Sequence, residues 1–224
     1  MPCDLTIEYS SPWAGAHFRP VPITTAADAL EQGLVRETYS EFERLASSEP
    51  SSSVEFVPGI EYFDSPAKSY TDLKEEAGFC TWPGFRVLGQ DELPGQGAGP
   101  ITWGVTYQSW VLNSPVYLSW LQRQVELRGG HLIRHTLSAI SEAVFIAAEY
   151  LKDPNAKFKA VVNASGMGFG DPSSFPSRGQ FLLVSNPCSE TVSYQTADGE
   201  AVVIIPRPLG GGTLIGGTKE VNNW

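Results

Sequence analysis

Residues 101–135 read ITWGVTYQSWVLNSPVYLSWLQRQVELRGGHLIRH, and this stretch decides the fold class. Its first part, Ile101–Val111, is rich in aromatic and β-branched residues, which favours a strand. Asn113 followed by Ser-Pro is typical of a helix start, and a glycine pair ends the predicted helix Pro115–Arg128. A further strand is predicted at His131–His135. Strand, helix, turn and strand in succession indicate a mixed α/β protein.

The same signals extend to both sides of this stretch. Apolar residues at steps of three and four predict an amphipathic helix at Thr24–Ser48. Short β-branched or aromatic segments predict further strands, which we expect to be antiparallel in the last part of the chain. The predicted strands are Val54–Phe63, broken at Pro58-Gly59, then Phe79–Leu88, Gln180–Ser185, Thr191–Gln195, Ala201–Pro206 and Gly212–Thr218, with a surface loop at Gln90–Pro100.

One apolar run indicates a cofactor-binding edge. Phe158–Ala164 is apolar throughout and leads into Ser165-Gly166-Met167-Gly168, which predicts a buried central strand parallel to its neighbours. Small residues at the carboxyl end of such a strand leave room for a diphosphate or ribityl chain.

Composition excludes several classes of protein. The 224 residues are 42% hydrophobic and 18% charged, which is typical of a globular protein and excludes disorder. The formal net charge of -10 disfavours nucleic acid and anionic membranes as partners. Cys3, Cys80 and Cys188 form no C-x-x-C pair, so we expect three free thiols and an intracellular, reducing environment.

Common hydrolase and zinc motifs are missing from the sequence. His131 and His135 have the spacing of helical zinc ligands, but a strand would hold them about 13 Å apart, so we expect no metal. Gly210-Gly211-Gly212 is read as a hairpin turn rather than a phosphate cradle. Ser11-Pro12-Trp13-Ala14-Gly15-Ala16-His17 sets small residues beside a tryptophan and a histidine, which suits either a packed turn or close approach to a ligand.

Seven short motifs, taken in order, carry a resemblance to a known family. They are Ser11–His17, Gly104-Val-Thr-Tyr107, Val161-Val-Asn-Ala-Ser-Gly166, Arg178-Gly-Gln180, Ile204-Ile-Pro-Arg-Pro208, Gly216-Gly-Thr218 and Asn223-Trp224. Together they resemble the D-amino-acid oxidase family, most closely its fungal members, over nearly the whole chain. The resemblance implies FAD as cofactor and the oxidation of a D-amino acid by O₂ to an imino acid and hydrogen peroxide.

The resemblance also implies roles for individual residues. Those implied to contact FAD are Ser11, Ala14, Gly15, Ala16 and His17, with Ser165 and Gly166 at a strand end and Leu137 on the adenine side. Val203 stands where the family has a substrate-binding tyrosine, which weakens carboxylate recognition. Lys219 would favour an acidic D-amino acid, or it is a solvated lysine at a hairpin end. The catalytic residue itself stays unassigned.

The chain departs from the family pattern at its ends. It has no G-x-G-x-x-G element, so we expect an inactive fragment, truncated at both ends, that binds FAD weakly. The resemblance implies a partial FAD-binding domain at residues 1–50 and 130–177, interleaved with a substrate-binding domain at residues 51–129 and 178–224. The alternatives are a noncatalytic relative that serves as a binding or structural protein, or an oxidase of glycine or sarcosine.

The expected partners are a D-amino acid and O₂, with a homodimer as the candidate assembly and neither nucleic acid nor a membrane as a partner. The family resemblance favours a peroxisomal or cytoplasmic location. No apolar run reaches the roughly 18 residues that a membrane span requires.

Overall fold

The computed structural model describes residues 9–95 and 99–223. Its helices are α1 (Ala26–Ser48), α2 (Lys68–Thr71), α3 (Ser114–Leu127) and α4 (Ile140–Tyr150). Its strands are β1 (Glu55–Phe63), β2 (Arg86–Val87), β3 (Trp103–Val111), β4 (Ser177–Arg178), β5 (Phe181–Val184), β6 (Thr191–Gln195), β7 (Ala201–Pro206), β8 (Thr213–Gly216) and β9 (Glu220–Val221). The mixed α/β fold class is confirmed.

Seven strands form one sheet in the order β2-β3-β1-β6-β7-β8-β5. Every neighbouring pair in this sheet is antiparallel except β1 and β6, which run parallel. The antiparallel arrangement predicted for the last part of the chain is therefore confirmed for β6, β7, β8 and β5. The hairpin between β7 and β8 turns through Gly210 and Gly212, both at positive φ, so the predicted glycine turn is also confirmed.

Helix α1 begins where its sequence predicts, and it covers the sheet with aromatic side chains. Thr25 and Asp28 form a reciprocal capping box at its start. The buried face carries Tyr39, Phe42 and Leu45. The ring of Phe42 contacts that of Trp110 on β3 with centroids 4.6 Å apart, in an edge-to-face arrangement. This packing explains why the predicted helix forms as a single 23-residue element.

The described chain divides into two compact units. The first, the sheet unit, comprises residues 9–130 and 179–218 and contains the seven-stranded sheet. The second, the α4 unit, comprises residues 131–178 and 219–223 and contains α4 with the small β4–β9 ribbon. The assignment of interleaved FAD and substrate domains to residues 1–50, 130–177, 51–129 and 178–224 stays a prediction.

The predicted buried strand Phe158–Ala164 is wrong. These residues form no strand, and Val162 is 85% exposed. A strand needs neighbours that accept and donate its backbone hydrogen bonds, and none of the described strands pairs with this segment. Apolar composition alone does not supply such neighbours.

Two further strand predictions fail in whole or in part. Phe79–Thr81 forms a 3₁₀ turn that buries the Phe79 ring, and only Arg86–Val87 of the segment pairs as a strand. His131–His135 forms no strand, because no described strand pairs with it. Conversely, β1 continues through Pro58-Gly59 without a break, in register with β3.

Two sequence expectations concern thiols and membranes. Cys80 and Cys188 are free thiols, while Cys3 lies outside the described residues. Among residues 9–95 and 99–223, no helix is long and apolar enough to span a membrane. Across the same residues, no group of three or more histidine, cysteine or acidic side chains is arranged to hold a metal ion.

Candidate functional site

The segment Ser11–His17 is fixed to the sheet unit through its carbonyl groups. The guanidinium of Arg207 donates to the Ala14 oxygen at 2.7 Å, to the Gly15 oxygen at 3.2 Å and to the Pro12 oxygen at 3.3 Å. Ser114 also donates to the Ala14 oxygen, at 2.8 Å. Hydrogen bonds from a charged donor are the stronger kind, so Arg207 at the end of β7 sets the path of this segment.

Two N–H groups of the segment, those of Gly15 and Ala16, donate to no acceptor within the described chain, and the residues that carry them are half-buried. A Cβ at position 15 would lie 2.8 Å from the Ile205 Cδ1 atom, closer than carbon atoms can pack. A side chain at position 15 would therefore require the end of the Ile205 side chain to move, and glycine lets the segment pack directly against β7.

His17 is packed against the sheet in its neutral form. Its Nδ1 lies 2.6 Å from the Thr191 Oγ1 atom, and the Thr191 hydroxyl donates to the Ile204 carbonyl at 3.0 Å. Because the single hydroxyl hydrogen of Thr191 is used on the Ile204 carbonyl, the Nδ1–H of the neutral imidazole donates to the Thr191 oxygen. Burial, with a smaller contribution from Arg19, lowers the pKa of His17 to about 4.

Glu61, Ser193 and Val203 lie side by side across three strands. The register pairs Glu61 on β1 with Ser193 on β6, and Ser193 with Val203 on β7. Directly paired residues point to the same side of a sheet, so Val203 shares a face with a buried carboxyl group two strands away. Val203, which stands where the family has a tyrosine, therefore lies beside a polar patch inside the protein.

The centre of that patch is an ion pair. The Arg19 Nη1 donates to the Glu61 Oε1 at 2.8 Å, and the side-chain amide of Gln195 donates to the same oxygen. The side chain of Glu61 is 0% exposed, whereas that of Arg19 is 30% exposed. Burial raises the pKa of Glu61 to about 7, because Arg19 and Gln195 only partly offset the loss of water.

Three buried polar atoms of this patch lack a partner among the described residues: the Glu61 Oε2, the Tyr107 hydroxyl and the Ser193 hydroxyl. Tyr107 pairs in register with Gly59, two residues before Glu61, so it lies on the same sheet face. Burial raises the pKa of Tyr107 well above its ordinary value. Unpaired buried polar groups are costly, and such groups mark sites where water, a proton or a ligand completes the bonding.

The α4 unit has its own cavity, of about 550 Å³. Leu137 and Ser165, which the sequence analysis assigned to FAD separately, both line it. The Ser165 hydroxyl donates to the Asn163 side chain at 2.7 Å, which closes a short turn, and Gly166 adopts φ +65° in this turn. Apolar walls with a few polar groups at one end are typical of a cofactor pocket.

Lys219 is exposed in the α4 unit, at the start of the β4–β9 ribbon. Its structure is that of a solvated lysine, and its role in substrate choice stays a prediction.

Sequence reasoning identified part of this site and missed the rest. The segment Ser11–His17 was found because its small residues are consecutive. Arg207 was quoted within a motif but given no role, and Arg19, Glu61 and Gln195 were not singled out. A charged residue in the middle of an apolar strand is a signal that could have identified Glu61.

Comparison with known proteins identifies the class to which this fold and site belong. A family model described as FAD dependent oxidoreductase matches residues 8–224. Because this match covers nearly the whole chain, the chain belongs to that family of flavin-dependent oxidoreductases.

The relatives within this family carry the names of D-amino-acid-oxidising enzymes. The chain is 36% identical over 220 residues to a D-aspartate oxidase of Talaromyces thermophilus, covering 97% of this chain and 56% of that protein. It is 30% identical over 238 residues to a D-amino-acid oxidase of Fusarium vanettenii, covering 100% of this chain and 63% of that protein. A D-amino-acid oxidase of Schizosaccharomyces pombe is 28% identical over 229 residues, with 100% and 61% covered. The chain thus spans between half and two thirds of the length of these relatives.

The residues present fit the cofactor that the family name implies. FAD carries phosphate and carbonyl oxygens that accept hydrogen bonds, and the N–H groups of Gly15 and Ala16 are donors without acceptors in the described chain. The cavity lined by Leu137 and Ser165 independently offers apolar walls and a hydroxyl. The segment Ser11–His17 and the cavity of the α4 unit each carry groups that suit a flavin nucleotide.

Proposed function

We propose that this protein takes part in the FAD-dependent oxidation of a D-amino acid, with imino acid and hydrogen peroxide as products. The observation that carries the proposal is the segment Ser11–His17, whose carbonyls are held by Arg207 and whose N–H groups at Gly15 and Ala16 have no acceptor among the described residues. When bound, FAD accepts two electrons from the substrate and passes them to O₂.

The residues of this chain would bind FAD and orient it. Arg207 holds the segment so that its backbone donors need no reorganisation when a ligand arrives. His17, neutral above pH of about 4, keeps a fixed ring beside Thr191 and brings no charge to the site. Leu137 and Ser165, which line the cavity of the α4 unit, and Gly166, which follows Ser165 in the chain, are assigned to FAD on the family resemblance.

We further propose a preference for acidic D-amino acids. The D-aspartate oxidase of Talaromyces thermophilus, at 36% identity, supports this preference. Val203 supplies no hydroxyl to a substrate carboxylate, so charged groups elsewhere would have to compensate for it. A homodimer and a peroxisomal or cytoplasmic location belong to the same proposal and rest on the family resemblance.

The test is flavin reduction in the absence of oxygen. The purified chain receives a large excess of FAD, then D-aspartate, D-alanine, L-aspartate, glycine or sarcosine in separate samples. If the chain by itself carries the proposed activity, the oxidised flavin absorbance is lost with D-aspartate and, more slowly, with D-alanine, and is kept with L-aspartate. Reduction by sarcosine or glycine alone would assign the protein to the oxidases of glycine or sarcosine, and bound flavin without any reduction would indicate a noncatalytic relative or an inactive fragment.

Two glycine variants separate cofactor binding from folding. Gly15→Ala adds a methyl group beside the two donors, 2.8 Å from the Ile205 Cδ1 atom, and should weaken FAD binding by crowding the segment. Gly33→Ala is the matched control, because a Cβ at position 33 meets no atom within 4 Å. If both variants bind FAD like the parent protein, the segment Ser11–His17 is not part of the cofactor site.

A further inference from the structure

Arg19 is an anchored cation that remains partly open to solvent. It follows His17 by two residues, and both side chains contact the sheet, through Glu61 and Thr191 respectively. Phe18 between them points into the aromatic core, with its ring 4.5 Å from that of Trp82. The backbone that is assigned to FAD therefore continues directly into an arginine whose side chain is 30% exposed.

The buried carboxylate of Glu61 holds this guanidinium. One carboxylate oxygen, Oε1, accepts from both Arg19 and Gln195, while Oε2 has no partner among the described residues. Only Nη1 of Arg19 is engaged by this contact, and a guanidinium has five N–H donors. The remaining donors match the planar, bidentate geometry of a second carboxylate.

We propose that Arg19 binds the side-chain carboxylate of an acidic D-amino acid, and that Glu61 is the positioning residue that holds its guanidinium for this contact. The inference rests on the proposed function, since it names the group that reads the substrate side chain. It assigns this task to Arg19 in the sheet unit and not to the solvated Lys219.

The proposal makes anion binding depend on protonation of Glu61. The charged and titratable groups around that carboxyl are Arg19, Tyr107 and Tyr70, with His17 acting through Arg19. Both tyrosines and His17 are neutral between pH 6 and 8, because burial raises the pKa of the tyrosines and lowers that of His17. In that range only Glu61 changes charge, since its pKa lies at about 7.

The direction of this pH dependence follows from electrostatic repulsion between the bound anion and the Glu61 carboxylate. An anion on Arg19 disfavours a charged Glu61, so binding is coupled to proton uptake and weakens as the pH rises. If the anion raises the pKa of Glu61 by about one unit, the affinity falls roughly fivefold between pH 6 and pH 8.

The experiment measures binding of D-aspartate and its neutral isostere D-asparagine by calorimetry, at pH 6 and pH 8, to the chain without added flavin. At pH 6 we expect D-aspartate to bind at least about tenfold more tightly than D-asparagine. At pH 8 we expect it to bind about twofold more tightly. Glu61→Gln should keep the preference and lose its pH dependence. Arg19→Met combined with Glu61→Gln should lose the preference, and this double variant leaves no unpaired buried charge that would prevent folding.

Arg86→Gln, at the exposed pair of Arg86 with Glu92, is the matched control and should behave like the parent protein. The proposal is overturned if the double variant still prefers D-aspartate, if Glu61→Gln keeps the parent's pH dependence, or if neither amino acid binds. These outcomes are distinct from failure of the proposed function, which is measured by flavin reduction in samples that contain FAD.

Discussion

Replacing Glu61 by glutamine should change how the stability of the protein depends on pH. The pKa of this buried carboxyl rises from an ordinary value of 4.5 to about 7 on folding. Between these values the folded protein keeps a proton that the unfolded chain has released, so stability is lost as the pH rises. Each pKa unit corresponds to about 1.4 kcal/mol, so raising the pH from 5 to 8 removes about 2.5 kcal/mol.

The contribution of His17 to the free energy of unfolding changes with pH in the opposite direction. Its pKa falls from 6.5 to about 4 on folding, so its contribution is present above pH 6.5 and is lost as the pH falls towards 4. Raising the pH from 5 to 8 therefore adds up to about 2 kcal/mol, and less where the partly exposed ring keeps contact with water. In the parent protein the contributions of Glu61 and His17 largely cancel.

The assay is equilibrium unfolding by urea, followed by tryptophan fluorescence at pH 5, 6.5 and 8. The parent protein should show a nearly flat profile from these two groups, whereas Glu61→Gln should gain stability with rising pH, so that the two profiles diverge by about 2.5 kcal/mol. Glu31→Gln replaces an exposed carboxylate on α1 and should run parallel to the parent. Parallel profiles for the parent and Glu61→Gln would refute the reasoning, because they would mean that Glu61 ionises alike in both states.

Four other outcomes are expected. Arg207→Met should weaken FAD binding at least tenfold by releasing the carbonyls of Ala14 and Gly15, as measured by quenching of flavin fluorescence. The parent chain should bind FAD with a dissociation constant of about 1 μM or higher and should purify colourless, because its sequence has no G-x-G-x-x-G element. A submicromolar dissociation constant would contradict this. Lys219→Tyr should leave the ratio of D-aspartate to D-alanine oxidation unchanged if Arg19 reads the side chain, and peroxide release measures that ratio. Phe79→Ala should cost about 3 to 5 kcal/mol of unfolding free energy, since the ring is 1% exposed within an aromatic cluster; a loss below 1 kcal/mol would show that the site can collapse.

The sequence by itself determined the elements whose signals are local. Helix α1 begins at a capping box and repeats its apolar residues at helical spacing, and both features lie within the helix. The strands β6 and β7 have the predicted bounds, because alternation and turn residues mark them without reference to the rest of the chain. The small-residue segment Ser11–His17 and its family resemblance were likewise legible in the sequence.

Tertiary structure decided everything that depends on a distant partner. Glu61 lies in a strand where a charged residue would ordinarily face water, and it is buried because Arg19, 42 residues earlier, and Gln195, 134 residues later, meet it. The run Phe158–Ala164 has the composition of a buried strand, yet no described strand offers its backbone hydrogen bonds a partner, so its side chains are exposed. A strand is stabilised by its neighbours, and the identity of those neighbours is not encoded within the strand.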